Sequence, residues 1–228
     1  MNIDFLSRTA LFQGIEKKDL EAMLGCLDAS VRSYEKGRRI FHPGDPVEEL
    51  GLVMEGVVHM VKTDIWGRET IIGRAGAGQV FGETYACRKG EAIPLEVTAA
   101  RDSRILFLNV SRVLETCPES CGFHNRMVKN LVYVMAGKNL ALSRKIDCIT
   151  PRSIRERIME YLSGLAMRQE QYTVEIPFSR QQLADYLSVD RSALSNEMSR
   201  MQREGLISYK KNTVELKGTY EEERRNDP

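Results

Sequence analysis

The sequence predicts an α+β fold in three parts: an antiparallel β-barrel, one long helix, and a small helical unit closed by a β-hairpin. Three observations lead there. Glycines at 37, 44, 51, 56, 67, 73, 76, 78, 82 and 90 cut residues 35–108 into short apolar pieces. From Gly122 to Ile149 there is no proline and the apolar period becomes helical. From Thr150 onward three amphipathic helices and a strand–turn–strand pattern follow one another.

The barrel comes from the first observation. "LGLVMEGVVHMVKT", "ETIIGRAG" and "SRILFLNV" are rich in Val, Ile and Leu and are bounded by turn sequences such as "HPGD" and "DIWGRE". Several short strands at that spacing make an antiparallel barrel or sandwich. Ahead of them "IEKKDLEAMLGCL" carries helical spacing at Ile15, Leu20, Met23, Leu24 and Leu27.

In the long helix Val128, Leu131, Met135, Leu142, Ile146 and Ile149 recur at three, four or seven residues, over roughly 40 Å at ~1.5 Å per residue. Packing against the chain's own barrel accounts for the first half of that stripe only. A second copy of the same helix is the simplest cover for the rest, which predicts a parallel homodimer.

The last unit opens at "TPRSIRERIMEYL", where Thr150 suits an N-cap and Pro151 the first helical position. In "SRQQLADYLSVDRSALSNEMSRMQREGLISYKKNTVELK", Ser179 and Gln182 form a capping box, a turn falls at Ser188-Val189, and a second helix begins at Asp190. The hairpin after it turns at Lys210-Lys211-Asn212, so the whole is a winged helix-turn-helix. The open side of the second helix carries Arg191, Ser192, Ser195, Asn196, Ser199, Arg200 and Arg203. Arg suits the O6 and N7 acceptors of guanine and Asn can pair with adenine, while Arg180, Lys210 and Lys211 suit phosphates.

Composition excludes several classes. The chain has 228 residues, 42% hydrophobic and 29% charged, with a formal net charge of +1. There is no basic run ahead of an apolar core at the N-terminus and no eighteen-residue apolar stretch, so a cytoplasmic protein without a membrane span is expected. Cys26, Cys87, Cys117, Cys121 and Cys148 are odd in number and scattered, unlike a disulfide framework or a metal site; His42, His59 and His124 do not group with them. Catalysis is not expected, and no metal. Residues 122–157 carry eight basic side chains against two acidic ones, which calls for a negatively charged partner nearby. The tail "EEERRNDP" reads as frayed.

Barrel, long helix and winged helix-turn-helix, in that order, resemble the Crp/Fnr family of bacterial transcription regulators. The likeness runs from "LFQGI" through "HPGD", "FGE" and the long helix to "SRQQLADYLSVDRSALS". It implies a cyclic-nucleotide-binding-like sensing domain at 1–121, a dimerisation helix at 122–149 and a DNA-binding domain at 150–228. It also implies a homodimer on double-stranded DNA, at a pseudo-palindromic operator with half-sites ~34 Å apart, and RNA polymerase as a further partner. Ser179, Arg180, Gln181, Arg191, Ser192, Ser195, Asn196, Arg200, Lys210 and Lys211 are the DNA-binding positions carried over. Ser188 stands where a turn glycine is frequent, and Glu197 at a position that is often apolar.

In cyclic-nucleotide members a Gly-Glu pair opens the pocket and an Arg-Ser pair holds the cyclic phosphate. Gly82-Glu83, with Thr84 following, matches the first; the second falls on Ile93-Pro94, which offers no charge and lacks one backbone N–H. The effector expected is therefore a small molecule other than cyclic AMP, with a pocket that holds no ligand as the other reading. Arg88, Lys89, Lys138 and Asn139 are further effector-facing candidates. No cofactor is assigned. Haem or a redox group is the alternative within the same architecture, with His59, Cys87 and His124 as the available axial ligands. A module whose winged helix contacts protein is the alternative outside it.

Overall fold

The computed structural model describes residues 2–88, 90–114 and 122–217. Cys117, Cys121, Lys89 and the tail from Glu221 lie outside the described residues. The chain divides into two compact units, residues 1–137 and 138–228.

In the first unit two helices, α1 (Ile3–Leu6) and α2 (Lys17–Cys26), precede eight strands. These are β1 (Ser30–Tyr34), β2 (Arg39–Phe41), β3 (Glu49–Glu55), β4 (Val57–Thr63), β5 (Glu69–Gly76), β6 (Val80–Phe81), β7 (Glu96–Ala99) and β8 (Ser103–Asn109). They pair antiparallel in two four-stranded sheets, ordered β1-β8-β3-β6 and β2-β7-β4-β5. The glycine punctuation is used where backbones meet. At Gly51 a Cβ would lie 2.4 Å from the Phe81 ring, and at Gly56, with φ +90°, 2.2 Å from the Ser103 hydroxyl. Phe41, Phe81 and Phe107 pack mutually edge-on or tilted at ring separations of 6.0–6.4 Å, filling the space between the sheets.

Helix α3 (Glu83–Ala86) interrupts the strands, α4 (Val110–Leu114) closes the barrel, and α5 (Gly122–Ile149) follows with the bounds its apolar period predicts. Its stripe divides. Met127 and Leu131 are buried in the barrel core, and the buried Asn130 donates its amide to the Leu11 carbonyl at 3.0 Å and the Gln13 carbonyl at 2.8 Å. Leu131 thus belongs to the barrel side, whereas Val132, Tyr133, Leu140, Leu142 and Ile146 are exposed.

The second unit contains α6 (Ile154–Gln169), β9 (Thr173–Glu175), α7 (Arg180–Leu187), α8 (Arg191–Arg203), β10 (Ile207–Lys210) and β11 (Thr213–Leu216). The strands form an antiparallel sheet ordered β10-β11-β9. Its core is Leu162, Leu183, Leu187, Leu194, Met198, Met201 and their neighbours.

One helix start differs from expectation. The N-cap of α6 is Ser153, not Thr150: Ser153 Oγ accepts from Glu156 N at 3.2 Å and the Glu156 carboxylate accepts from Ser153 N at 3.1 Å. Thr150 instead donates its hydroxyl back to the Ile146 carbonyl at 2.7 Å, ending α5. A reciprocal box satisfies two orphan donors where a lone Thr satisfies one.

Candidate functional site

The helix-turn-helix is assembled from caps outward. Ser179 Oγ accepts from Gln182 N and the Gln182 side chain accepts from Ser179 N, fixing the start of α7. Ser188, in the glycine-favouring position, takes φ +54° as the C-cap of α7. Arg157 of α6 holds this turn from outside, its Nη1 donating to the carbonyls of Leu187 at 3.1 Å and Ser188 at 3.2 Å, and its Nε to Pro151 at 2.8 Å. Asp190 then caps α8, accepting from Ser192 N at 2.8 Å and Ala193 N at 3.0 Å. Those bonds, led by the one from the Ser192 hydroxyl, hold its carboxyl below the ordinary value of 3.8.

Leu194, Met198 and Met201 of α8 face the core, which turns Arg191, Ser192, Asn196, Ser199, Arg200 and Arg203 outward. Their readiness for a partner differs. Ser192 donates its hydroxyl to Asp190; Ser195 is half-buried and donates to the Arg191 carbonyl at 2.9 Å; Ser199 donates to the Ser195 carbonyl and meets the Tyr209 hydroxyl. Arg200 pairs with Glu204 at 3.0 Å. Gln181 donates to Asp185, and half-buried Arg180 lies over the Tyr209 ring at 5.2 Å with an N–H toward Met198 Sδ. Among the described residues, the Arg191 guanidinium, the Asn196 amide and the ammonium groups of Lys210 and Lys211 have no partner.

The geometry gathers donors on one helix face and two lysines on the wing, with Lys211 at φ +56° in the turn itself. Such a face offers hydrogen-bond donors to base edges and charge to phosphates. Sequence reasoning missed Arg157 and Arg155, counted only as members of a basic run. Arg155 meets Glu197 and Glu204, so part of that run is answered inside the unit. The signal available was Glu197, a charge in a place that is often apolar.

In the first unit Gly82 takes φ +76° to start α3, and a Cβ there would lie 3.2 Å from the Phe41 ring. Glu83 is 4% exposed, whereas Thr84 is exposed. Ile93 is 1% exposed and sits in the barrel core; Pro94 is exposed. Arg88 stands on the surface in an ion pair with Glu91. A cavity of about 260 Å³ is lined, among the described residues, by Pro46, Val47, Glu48, Ala86, Gly90, Glu91 and Ser111, two of which carry carboxylates. Lys138 and Asn139 are exposed on α5 in the second unit.

Burial pushes the thiols of Cys87 and Cys148 up, away from the reactive thiolate. Among the described residues no His, Cys, Asp and Glu side chains group as metal ligands, and no helix is long and apolar enough to cross a membrane.

Fold and site define a sensing domain joined to a DNA-binding helix-turn-helix. Residues 31–120 match the cyclic nucleotide-binding domain and residues 156–218 the Crp-like helix-turn-helix domain. The chain is similar to the cyclic AMP receptor protein of Thermus thermophilus, 23% identical over 210 residues, covering 91% of this chain and 92% of that one. It is equally similar to the CRP-like protein Clp of Xanthomonas euvesicatoria pv. vesicatoria, 23% identical over 193 residues, covering 82% and 84%. In structure it resembles CprK complexed with OCPA, with a TM-score of 0.65 at 18% identity over 91% of this chain and 93% of that one. The chain belongs to the Crp/Fnr family and has the architecture of a Crp-like transcription regulator.

Proposed function

We propose that the protein is a homodimeric, sequence-specific regulator of transcription whose barrel binds a small-molecule effector other than cyclic AMP. The carrying observation is the outward face of α8, where Arg191 and Asn196 stand without partners among the described residues, between capped ends. Residues 1–121 sense, 122–149 dimerise and 150–228 bind DNA. Arg191 and Asn196 read bases, and Lys210 and Lys211 touch phosphates. The serines at 192 and 195 keep only acceptor lone pairs for a partner.

Two copies joined along the exposed Val132, Leu142 and Ile146 present two reading helices, suiting a pseudo-palindromic operator with half-sites ~34 Å apart. The effector acts by binding the two dimer arrangements with different affinity. The protein works in the cytoplasm, with RNA polymerase as its further partner. The effector is not held as a cyclic phosphate at residue 93, because an apolar side chain is packed inward there.

Selection of sites from random duplex DNA by the full chain tests this. A two-fold-symmetric motif is expected; recovery of duplexes sharing no motif sinks the proposal.

A further inference from the structure

Helix α6 approaches α8 through a single guanidinium. Arg155 Nε donates to Glu197 Oε1 at 2.7 Å, and its Nη1 lies 2.7 Å from Glu204 Oε2. Glu204, the C-cap of α8, follows Glu197 by seven residues, close to two full turns, so both stand near the same line on the helix. Asn196 is one residue, or about 100°, away from that line. Glu204 also takes Arg200 Nε at 3.0 Å, so the same carboxylate joins α6 to an outward side chain of the reading helix.

A planar guanidinium fixes two carboxylates in direction as well as distance, which an ammonium cannot do. The Arg155 side chain is one-third exposed, and Glu197 less so. The remaining nitrogen, Nη2, is buried without an acceptor among the described residues. Maximal stability would not select such an arrangement, since apolar side chains of similar volume commonly do as well in place of a partly buried ion triad. Orientation is what the charged version adds.

We infer that Arg155 is a positioning residue that sets the rotation of α8 about its axis through Glu197 and Glu204, and thereby decides which side chains meet the base edges. This rests on the DNA-binding reading of α8. Arg157 holds the α7–α8 turn from the same helix, so α6 fixes the reading helix at its entry and along its length.

The test compares full-length wild type, Arg155→Met, Arg155→Lys and the triple variant Arg155→Met/Glu197→Leu/Glu204→Gln. Fluorescence anisotropy on a selected duplex and a scrambled one gives the ratio of affinities, and calorimetry gives Tm. Arg155→Met is expected to lower the ratio about tenfold, comparable to one mismatched base pair. Affinity for the scrambled duplex and its salt slope stay unchanged, because no phosphate contact is lost. Arg155→Lys recovers part of the ratio. The triple variant recovers Tm without recovering the ratio.

A wild-type ratio in Arg155→Met, or recovery of both ratio and Tm in the triple variant, overturns the inference. If wild type prefers no duplex at all, the DNA-binding reading fails first, and residual dipolar couplings of the α6 and α8 amides still decide the clamp. A changed inter-helix orientation in Arg155→Met upholds it; an unchanged one overturns it.

Discussion

Ile93 donates its backbone N–H to the Asp45 carbonyl at 3.0 Å and accepts from Gly44 N at 2.8 Å, with its side chain in the barrel core. Both backbone groups at this position are therefore used within the barrel, and the side chain has no route to a ligand phosphate. Calorimetry of wild type with millimolar cyclic AMP should show no rise in Tm; a rise of several degrees would mean that the phosphate is held elsewhere. Ile93→Arg should cost about 3 kcal/mol or more of stability, because it places an unpaired charge among Leu95, Val97 and their neighbours, rather than creating a nucleotide site.

The two kinds of donor on the winged unit separate by salt. Arg191→Ala should abolish preference for the selected duplex, as read by competition against scrambled DNA. Lys210→Ala/Lys211→Ala should weaken all duplexes alike and lower the slope of log K against log salt by about 4, one per phosphate contact for two lysines on each of two chains. A loss from the lysine variant confined to one base pair would contradict its assignment.

The cap of α8 makes the unit acid-sensitive. The Asp190 carboxyl titrates lower in the folded protein than its ordinary 3.8, through the Ser192 hydroxyl first and then the Ala193 and Ser192 amides. A depressed folded value contributes stability that is complete above the unfolded value and lost as pH falls through the folded one. The urea midpoint of the helical signal should therefore drop as pH falls from about 5 to below 3, the unfolded carboxyl titrating near ~3.9. Asp190→Asn should flatten that drop, and an identical profile in the variant would remove Asp190 from the account.

Ser188 holds φ +54° where glycine carries no side-chain penalty. Ser188→Gly should raise stability by up to about 1 kcal/mol and leave DNA affinity unchanged, while Ser188→Val should lower stability by at least about 1 kcal/mol. Denaturant midpoints check both. Equal midpoints would indicate that the turn relaxes away from the left-handed conformation.

The exposed apolar side chains of α5 need a cover. Leu142→Glu/Ile146→Glu should convert a sedimenting dimer to a monomer with unchanged circular dichroism. A dimer persisting in the variant would place the interface elsewhere.

Much of this was legible along the chain, because helical and strand periods are local. The period placed α5 between its ends, and the apolar stretches "LGLVMEGVVHMVKT", "ETIIGRAG" and "SRILFLNV" reappear as β3, β4, β5 and β8. The start of α6 is not where Thr150-Pro151 looks like a helix opening, because the Ser153–Glu156 box, whose N-cap lies three residues past Thr150, satisfies more of the backbone. On α8 the 3.6-residue period turned Arg191 and Asn196 outward. It could not show that the hydroxyls of Ser192, Ser195 and Ser199 donate back to their own unit, since short hydroxyls find local acceptors. Arg155 with Glu197 and Glu204 is a tertiary match across more than forty residues, and no local pattern encodes it.

The most direct test of the central claim is sedimentation equilibrium of the full chain with one selected duplex and with its scrambled counterpart, repeated for Arg191→Ala. The account predicts two chains per selected duplex, at least 10³-fold tighter than on scrambled DNA, with that preference gone in Arg191→Ala and the protein still dimeric. A single chain per duplex, or a preference that survives the substitution, would contradict it.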